Sequence, residues 1–219
     1  MWEIKDRLYE SVDFNSFLGK VFLNLFLGFI VTAVSAYLAI YSGAIASLGK
    51  LGFILLAILS FVLVIAVSAL RQNPLLAGIV FYLFCAIEGI LLGPIFLVYT
   101  KTAIFKAFIA TGISFLTMAI LAFTKKIDFR QFGSFLFAGL IAIIIASIVN
   151  IFLGSSTLDL VISIITIVVF LGLIGYDLQT LEEIAYTDGN AYFGALNLYL
   201  DIINLFLAFL RIFGRNEEQ

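Results

Sequence analysis

Three acidic side chains stand inside long apolar runs of this sequence. They are Glu88 in Cys85-Ala86-Ile87-Glu88-Gly89, Asp177 in Leu173-Ile174-Gly175-Tyr176-Asp177-Leu178-Gln179, and Asp201 in Leu198-Tyr199-Leu200-Asp201-Ile202-Ile203-Asn204. An aspartate at the centre of a membrane-spanning helix costs roughly 2.5 to 3.5 kcal/mol on insertion scales, so a carboxyl retained there is a functional candidate by default. The chemistry open to it is proton binding, cation binding or a hydrogen bond to a neighbouring helix. The chain has no histidine, the side chain that ordinarily titrates near neutral pH. Any proton sensing therefore falls to carboxylates.

Asp177 and Asp201 each lie twelve residues from Gly189. If the two runs are antiparallel helices joined by the Asp188-Gly189 turn, both aspartates sit about 18 Å along the axis from that turn and can meet. Two adjacent carboxylates do not readily both ionise, so the pair would hold a shared proton over some pH range. On the second of these helices Asn190, Gly194, Asn197, Asp201, Asn204 and Arg211 recur at spacings of 4, 3, 4, 3 and 7, which is one helical face. The competing reading is structural: both aspartates serve as hydrogen-bonding ties between helices.

Arg71 ends an apolar run on the same membrane side as the Asp188-Gly189 turn. Its side chain is long enough either to reach inward toward Asp177 or to snorkel at the interface. Glu88 either lines a cavity with the aspartates or bonds a neighbouring helix, and the nearby Gly93-Pro94 predicts a kink. Cys85, the single cysteine, reads as a small packing residue.

The elements that must position these groups are transmembrane helices. Of 219 residues, 63% are hydrophobic and 12% charged, with mean hydropathy +1.20, against about 25% charged in an average soluble domain. Apolar runs long enough to cross a bilayer appear at 17–41, 51–70, 75–99, 104–123, 132–153, 158–184 and 191–213. In lipid such runs must be helices, because an open sheet leaves backbone groups unsatisfied. The reading is an all-α polytopic membrane protein, one seven-helix domain over residues 1–219 with a short polar segment at 1–16. That segment does not read as a cleavable signal.

Turn signals separate the runs at Ser47-Leu48-Gly49-Lys50, Arg71-Gln72-Asn73-Pro74, Lys125-Lys126-Ile127-Asp128, Gly154-Ser155-Ser156-Thr157 and Thr187-Asp188-Gly189-Asn190. Seven basic residues (Lys5, Arg7, Lys20, Arg71, Lys125, Lys126, Arg130) fall on the N-terminal side. Five (Lys50, Lys101, Lys106, Arg211, Arg215) fall opposite, which favours a cytoplasmic N-terminus, although Arg211 and Arg215 argue the other way. The remaining polar segments are too short to build a separate extramembrane domain, and scattered basic residues leave no nucleic-acid footprint. The 24 Phe and 9 Tyr read as packing and interface residues, with no cofactor implied. No internal repeat of the kind common in secondary transporters is evident.

The segment Gly175-Tyr176-Asp177-Leu178-Gln179, with Leu196-Asn197-Leu198-Tyr199-Leu200-Asp201-Ile202-Ile203-Asn204-Leu205-Phe206 and Leu210-Arg211, resembles the Bax inhibitor-1 family. Glu88-Gly89 with Gly93-Pro94 in the third span fits as well, and the chain is most similar to compact bacterial members. The resemblance implies a seventh helix wrapped by two layers of three, in a bacterial plasma membrane, and a pH-sensitive calcium leak. It makes Asp177 and Asp201 the family's dyad and Arg71 the basic residue whose pairing with the dyad holds the pore closed. Some members carry a further acid in the second span, where this chain has Ser60; Glu88 is the residue that would substitute.

On this reading acid neutralises the dyad and opens the pore, with lipid, calcium ions and protons as the partners. Calcium takes six to eight oxygens, so it would bind Asp177 and Asp201 only transiently, helped by Asn197, Asn204, carbonyls or water. The alternative class is a membrane-embedded regulator of a protease or stress pathway, acting by contact with a membrane-protein partner. Intramembrane aspartyl proteolysis fits poorly, because Leu198-Tyr199-Leu200-Asp201 stands where those enzymes carry Gly-Leu-Gly-Asp. No enzymatic activity is expected.

Overall fold

A computed structural model describes residues 13–187 and 189–215. Lys5, Arg7, the 1–12 part of the polar N-terminal segment, and Asp188 of the last turn lie outside the described residues. All regular structure among the described residues is helical, and seven helices are long and apolar enough to span a membrane: Phe14–Tyr41, Ala44–Ala69, Pro74–Val98, Lys101–Phe123, Phe129–Leu153, Ser156–Thr187 and Ala191–Arg215.

The first, third and fourth spans begin earlier than hydropathy places them because polar caps start them. Asp13 Oδ1 accepts from the N–H groups of Asn15 (3.1 Å) and Ser16 (3.2 Å), so the first span opens at Phe14. Thr100 Oγ1 accepts from Ala103 N–H at 3.1 Å and opens the fourth at Lys101. Each cap satisfies donors that a helix N-terminus otherwise leaves orphaned. Asn73 caps the third span in the same way, with Pro74 at its first position, where a missing N–H costs nothing.

Two interruptions have local causes. Ser47-Leu48-Gly49-Lys50 is not the turn between the first two spans; that turn is Ser42-Gly43, and Gly49 instead breaks the second helix with φ 58° and ψ −178°, a combination essentially restricted to glycine. At the expected kink, Gly93-Pro94 interrupts the third span, which resumes for one turn at Ile95–Val98. Proline supplies no N–H to continue the ladder.

The contacts divide the chain into two compact units. One comprises the described residues through Val98 with Leu181–Tyr199, the other Tyr99–Thr180 with Leu200 onward. In the first unit the first span packs extensively on the third, and the second span packs on the third more than on the first. A Cβ added at Gly89 would stand 2.3 Å from the Thr32 carbonyl oxygen, so glycine permits this close approach of two backbones. Tyr199 lies fully buried in this unit, stacked on Phe29 at 4.9 Å between ring centroids and edge-on to Phe84 at 5.4 Å.

In the second unit the fifth and sixth spans share an apolar core of Ile143, Ile162 and Val169, with Ala146, Leu158 and Leu173 around it. The sixth span has 32 residues, about 48 Å at helical rise against a hydrocarbon core near 30 Å, so it projects beyond the core. Large side chains such as Phe26, Ile30, Ile58, Phe61, Phe135 and Phe152 face outward, a surface suited to lipid and not to water. The seventh span is the most enclosed, half buried over its apolar stretch against 11% for the fifth.

Candidate functional site

Asp177 and Asp201 both belong to the second unit, and the structure brings them together. Their carboxyl groups lie within hydrogen-bond reach of each other. Asp201 is 5% exposed and its Oδ2 meets no hydrogen-bond partner in the structure. Ionised carboxylates only accept, so a contact between two of them is attractive only when one carries a proton. The arrangement can therefore store and release a proton.

The sixth span presents this group from a polar line. Asp159, Ser163, Thr166 and Asp177 follow at spacings of 4, 3 and 11, which keeps them on one face. Ser163 and Thr166 are buried, and their hydroxyls donate to the carbonyls of Asp159 (2.8 Å) and Ile162 (2.7 Å). That leaves their oxygen lone pairs able to accept. The seventh span answers with Asp201, Asn204 and Arg211. Asn204 Nδ2 donates to Leu200 O at 2.7 Å, and Arg211 Nη1 lies 3.7 Å from Asp159 Oδ1. Arg215, one turn further on, donates to the Ser156 carbonyl. From Asp159 to Asp177 the sixth helix rises about 27 Å, close to the hydrocarbon thickness.

The other expected residues lie in the first unit. Arg71 is exposed in the turn after the second span, its guanidinium carbon 5.9 Å from the centroid of the Phe193 ring. Its carbonyl accepts from Asn190 Nδ2 at 2.6 Å. Asn190 Oδ1 meanwhile accepts from Tyr192 N–H (3.0 Å) and Phe193 N–H (3.3 Å), capping the seventh span. Of the predicted polar face, Asn190 is thus a cap and Asn197 is half-buried. Glu88 is half-buried and accepts from the Ser60 hydroxyl. The carboxyl of the third span therefore reaches Ser60 of the second span.

Sequence reasoning missed three features. The Tyr199 hydroxyl meets Thr32 Oγ1 at 2.6 Å, and Thr32 directs its own hydrogen toward the carbonyls of Gly28 and Cys85, both at 3.0 Å. Tyr199 is thus the donor in that pair. Asp159 pairs with Arg211. Gln179, two residues after Asp177, binds the turn between the fourth and fifth spans. Its place inside the Gly175–Gln179 motif was the one available signal. Among the described residues no group of three or more His, Cys, Asp or Glu side chains converges.

Residues 14–218 match the family described as inhibitor of apoptosis-promoting Bax1. The chain is 38% identical to the inner membrane protein YbhL of Escherichia coli K12 over 91% of both chains. It is 35% identical to an uncharacterized membrane protein of Streptococcus pyogenes serotype M1, covering 95% of this chain and 96% of that one. With an uncharacterized protein of Borreliella burgdorferi it shares 36% identity over the full length of both.

Proposed function

The chain belongs to the Bax inhibitor-1 family and is a multi-span membrane protein, and from that premise we propose that it is a pH-sensitive calcium leak channel gated by the Asp177–Asp201 pair. The observation that carries this reading is the meeting of two intramembrane carboxyl groups, one of them 5% exposed, within hydrogen-bond reach. A purely structural tie between helices needs one donor and one acceptor; two carboxyls give a tie whose strength depends on pH.

The cation route in this reading follows the polar line of the sixth and seventh spans, past Ser163, Thr166, Asn204 and the dyad. Two carboxylates supply at most four of the six to eight oxygens calcium takes, so neighbouring hydroxyls, amides and water complete a transient shell. Arg71 enters on family resemblance alone, as the basic group whose attraction to the ionised dyad acid would cancel. The sign follows: protonation removes negative charge, the closing attraction falls, and flux rises as pH falls. The proposed setting is a bacterial plasma membrane with the N-terminus cytoplasmic, and no catalytic role is proposed.

The test is calcium flux into liposomes across pH, comparing the native chain with Asp177→Asn and Asp201→Asn. The reading expects each variant to lose most of the pH dependence; equal flux and equal pH dependence in all three overturn it. A second reading, a regulator acting by protein contact, is favoured by the family's description as an inhibitor of another protein. Flux by the purified chain alone decides for the channel, and capture of a specific membrane partner without flux decides for the regulator.

A further inference from the structure

The Gly175–Gln179 motif contains more than its aspartate. Gln179 Nε2 donates to Ile127 O at 2.7 Å and Ala122 O at 3.3 Å, and Gln179 Oε1 accepts from Phe129 N–H at 2.7 Å. Ile127 O and Phe129 N–H are backbone groups that the ending of the fourth helix and the start of the 3₁₀ turn Phe129–Phe132 leave without helical partners, while Ala122 O also accepts from Lys125 N–H at 3.2 Å. One side chain thereby fastens the whole Thr124–Phe132 connection to the sixth span. Phe129 is buried, and its ring lies on Gly175, where an added Cβ would come within 2.7 Å of it.

Gly175 and Gln179 lie about 40° apart around the helix, and Asp177 about 160° from each. The connection thus grips the sixth span on the face opposite the dyad. We propose that Gln179 is the positioning residue of the dyad: by locking the sixth span to the Thr124–Phe132 connection it fixes the rotation that presents Asp177 to Asp201. The inference rests on the reading of the dyad as the pH-dependent gate. Geometry makes the lever sensitive. With the carboxyl about 6 Å from the helix axis, a 20° rotation displaces it by about 2 Å, enough to break a hydrogen bond.

The experiment is calcium flux in liposomes across pH for the full chain, Gln179→Met and Gln179→Asn. The first variant keeps length and deletes all three bonds; the second keeps the amide but shortens its reach. Separated carboxyls no longer share a proton, so the midpoint of the flux profile should move toward acid by about half a unit or more, roughly threefold in proton concentration. Gln179→Asn reads the same shift if Gln179→Met does not fold. A native chain that titrates while every folded variant keeps its midpoint overturns the role of Gln179 alone. A native flux indifferent to pH overturns both, the dyad reading first.

Discussion

Replacing Gly89 by alanine inserts a methyl group where the first and third spans touch. The new Cβ would stand 2.3 Å from the Thr32 carbonyl oxygen, 2.7 Å from Ser35 Cβ and 3.0 Å from Ala36 N. A carbon and a carbonyl oxygen normally approach no closer than about 3.3 Å, so the backbones must part by about 1 Å. Two of the three obstacles are backbone atoms, which no rotamer change moves away. Overpacking of this kind costs typically 1–3 kcal/mol. Taking about 2 kcal/mol, the equilibrium for opening this interface shifts by a factor of about 30. Cys85 reports it directly: it is buried on the same interface, its carbonyl accepts from Thr32, and its Sγ lies 3.1 Å from where a Cβ on Gly28 would be. The rate of thiol alkylation in detergent or liposomes should rise about thirtyfold in Gly89→Ala when opening precedes labelling. A rate within twofold of the native chain would refute the close-packing argument.

Tyr199→Phe deletes the buried hydroxyl that donates to Thr32 and should lower stability by about 1 kcal/mol. A double-mutant cycle with Thr32→Val should give a coupling near 0.6 and no more than about 1.7 kcal/mol, the range seen for hydrogen bonds between membrane helices. Asp159→Asn weakens an ion pair whose side chains are each about one-third exposed; thermal unfolding should move by less than about 1 kcal/mol, and less again in high salt.

Most of the helical scaffold was legible because lipid permits so few backbone solutions: seven apolar runs became seven helices. Helix starts were not, since Asp13 and Thr100 are polar and vanish from a hydropathy profile while fixing the first turn. Gly49 looked like loop punctuation and proved to be a kink, because a glycine's φ of 58° is equally useful in either setting. In the site, symmetry about Gly189 was enough to anticipate that Asp177 and Asp201 meet. The partners of Glu88 and Gln179 were hidden for a different reason. Ser60 and the Ala122–Phe129 backbone are remote in sequence and lack any periodicity that ties them to their partners. Asp159 passed unnoticed as an acid near a helix start, where its charge suits the helix dipole, and only the structure sets Arg211 beside it.

In the proposed channel Asp177 and Asp201 hold a proton whose presence sets cation flow. A hydrophobic carbodiimide modifies protonated carboxyls within membranes, and peptide mass spectrometry reads which residue reacts. Labelling of the Asp177–Asp201 pair in liposomes is expected to rise as pH falls, with the same midpoint as calcium flux in the same vesicles. Labelling that stays constant across the pH range in which flux changes would contradict it.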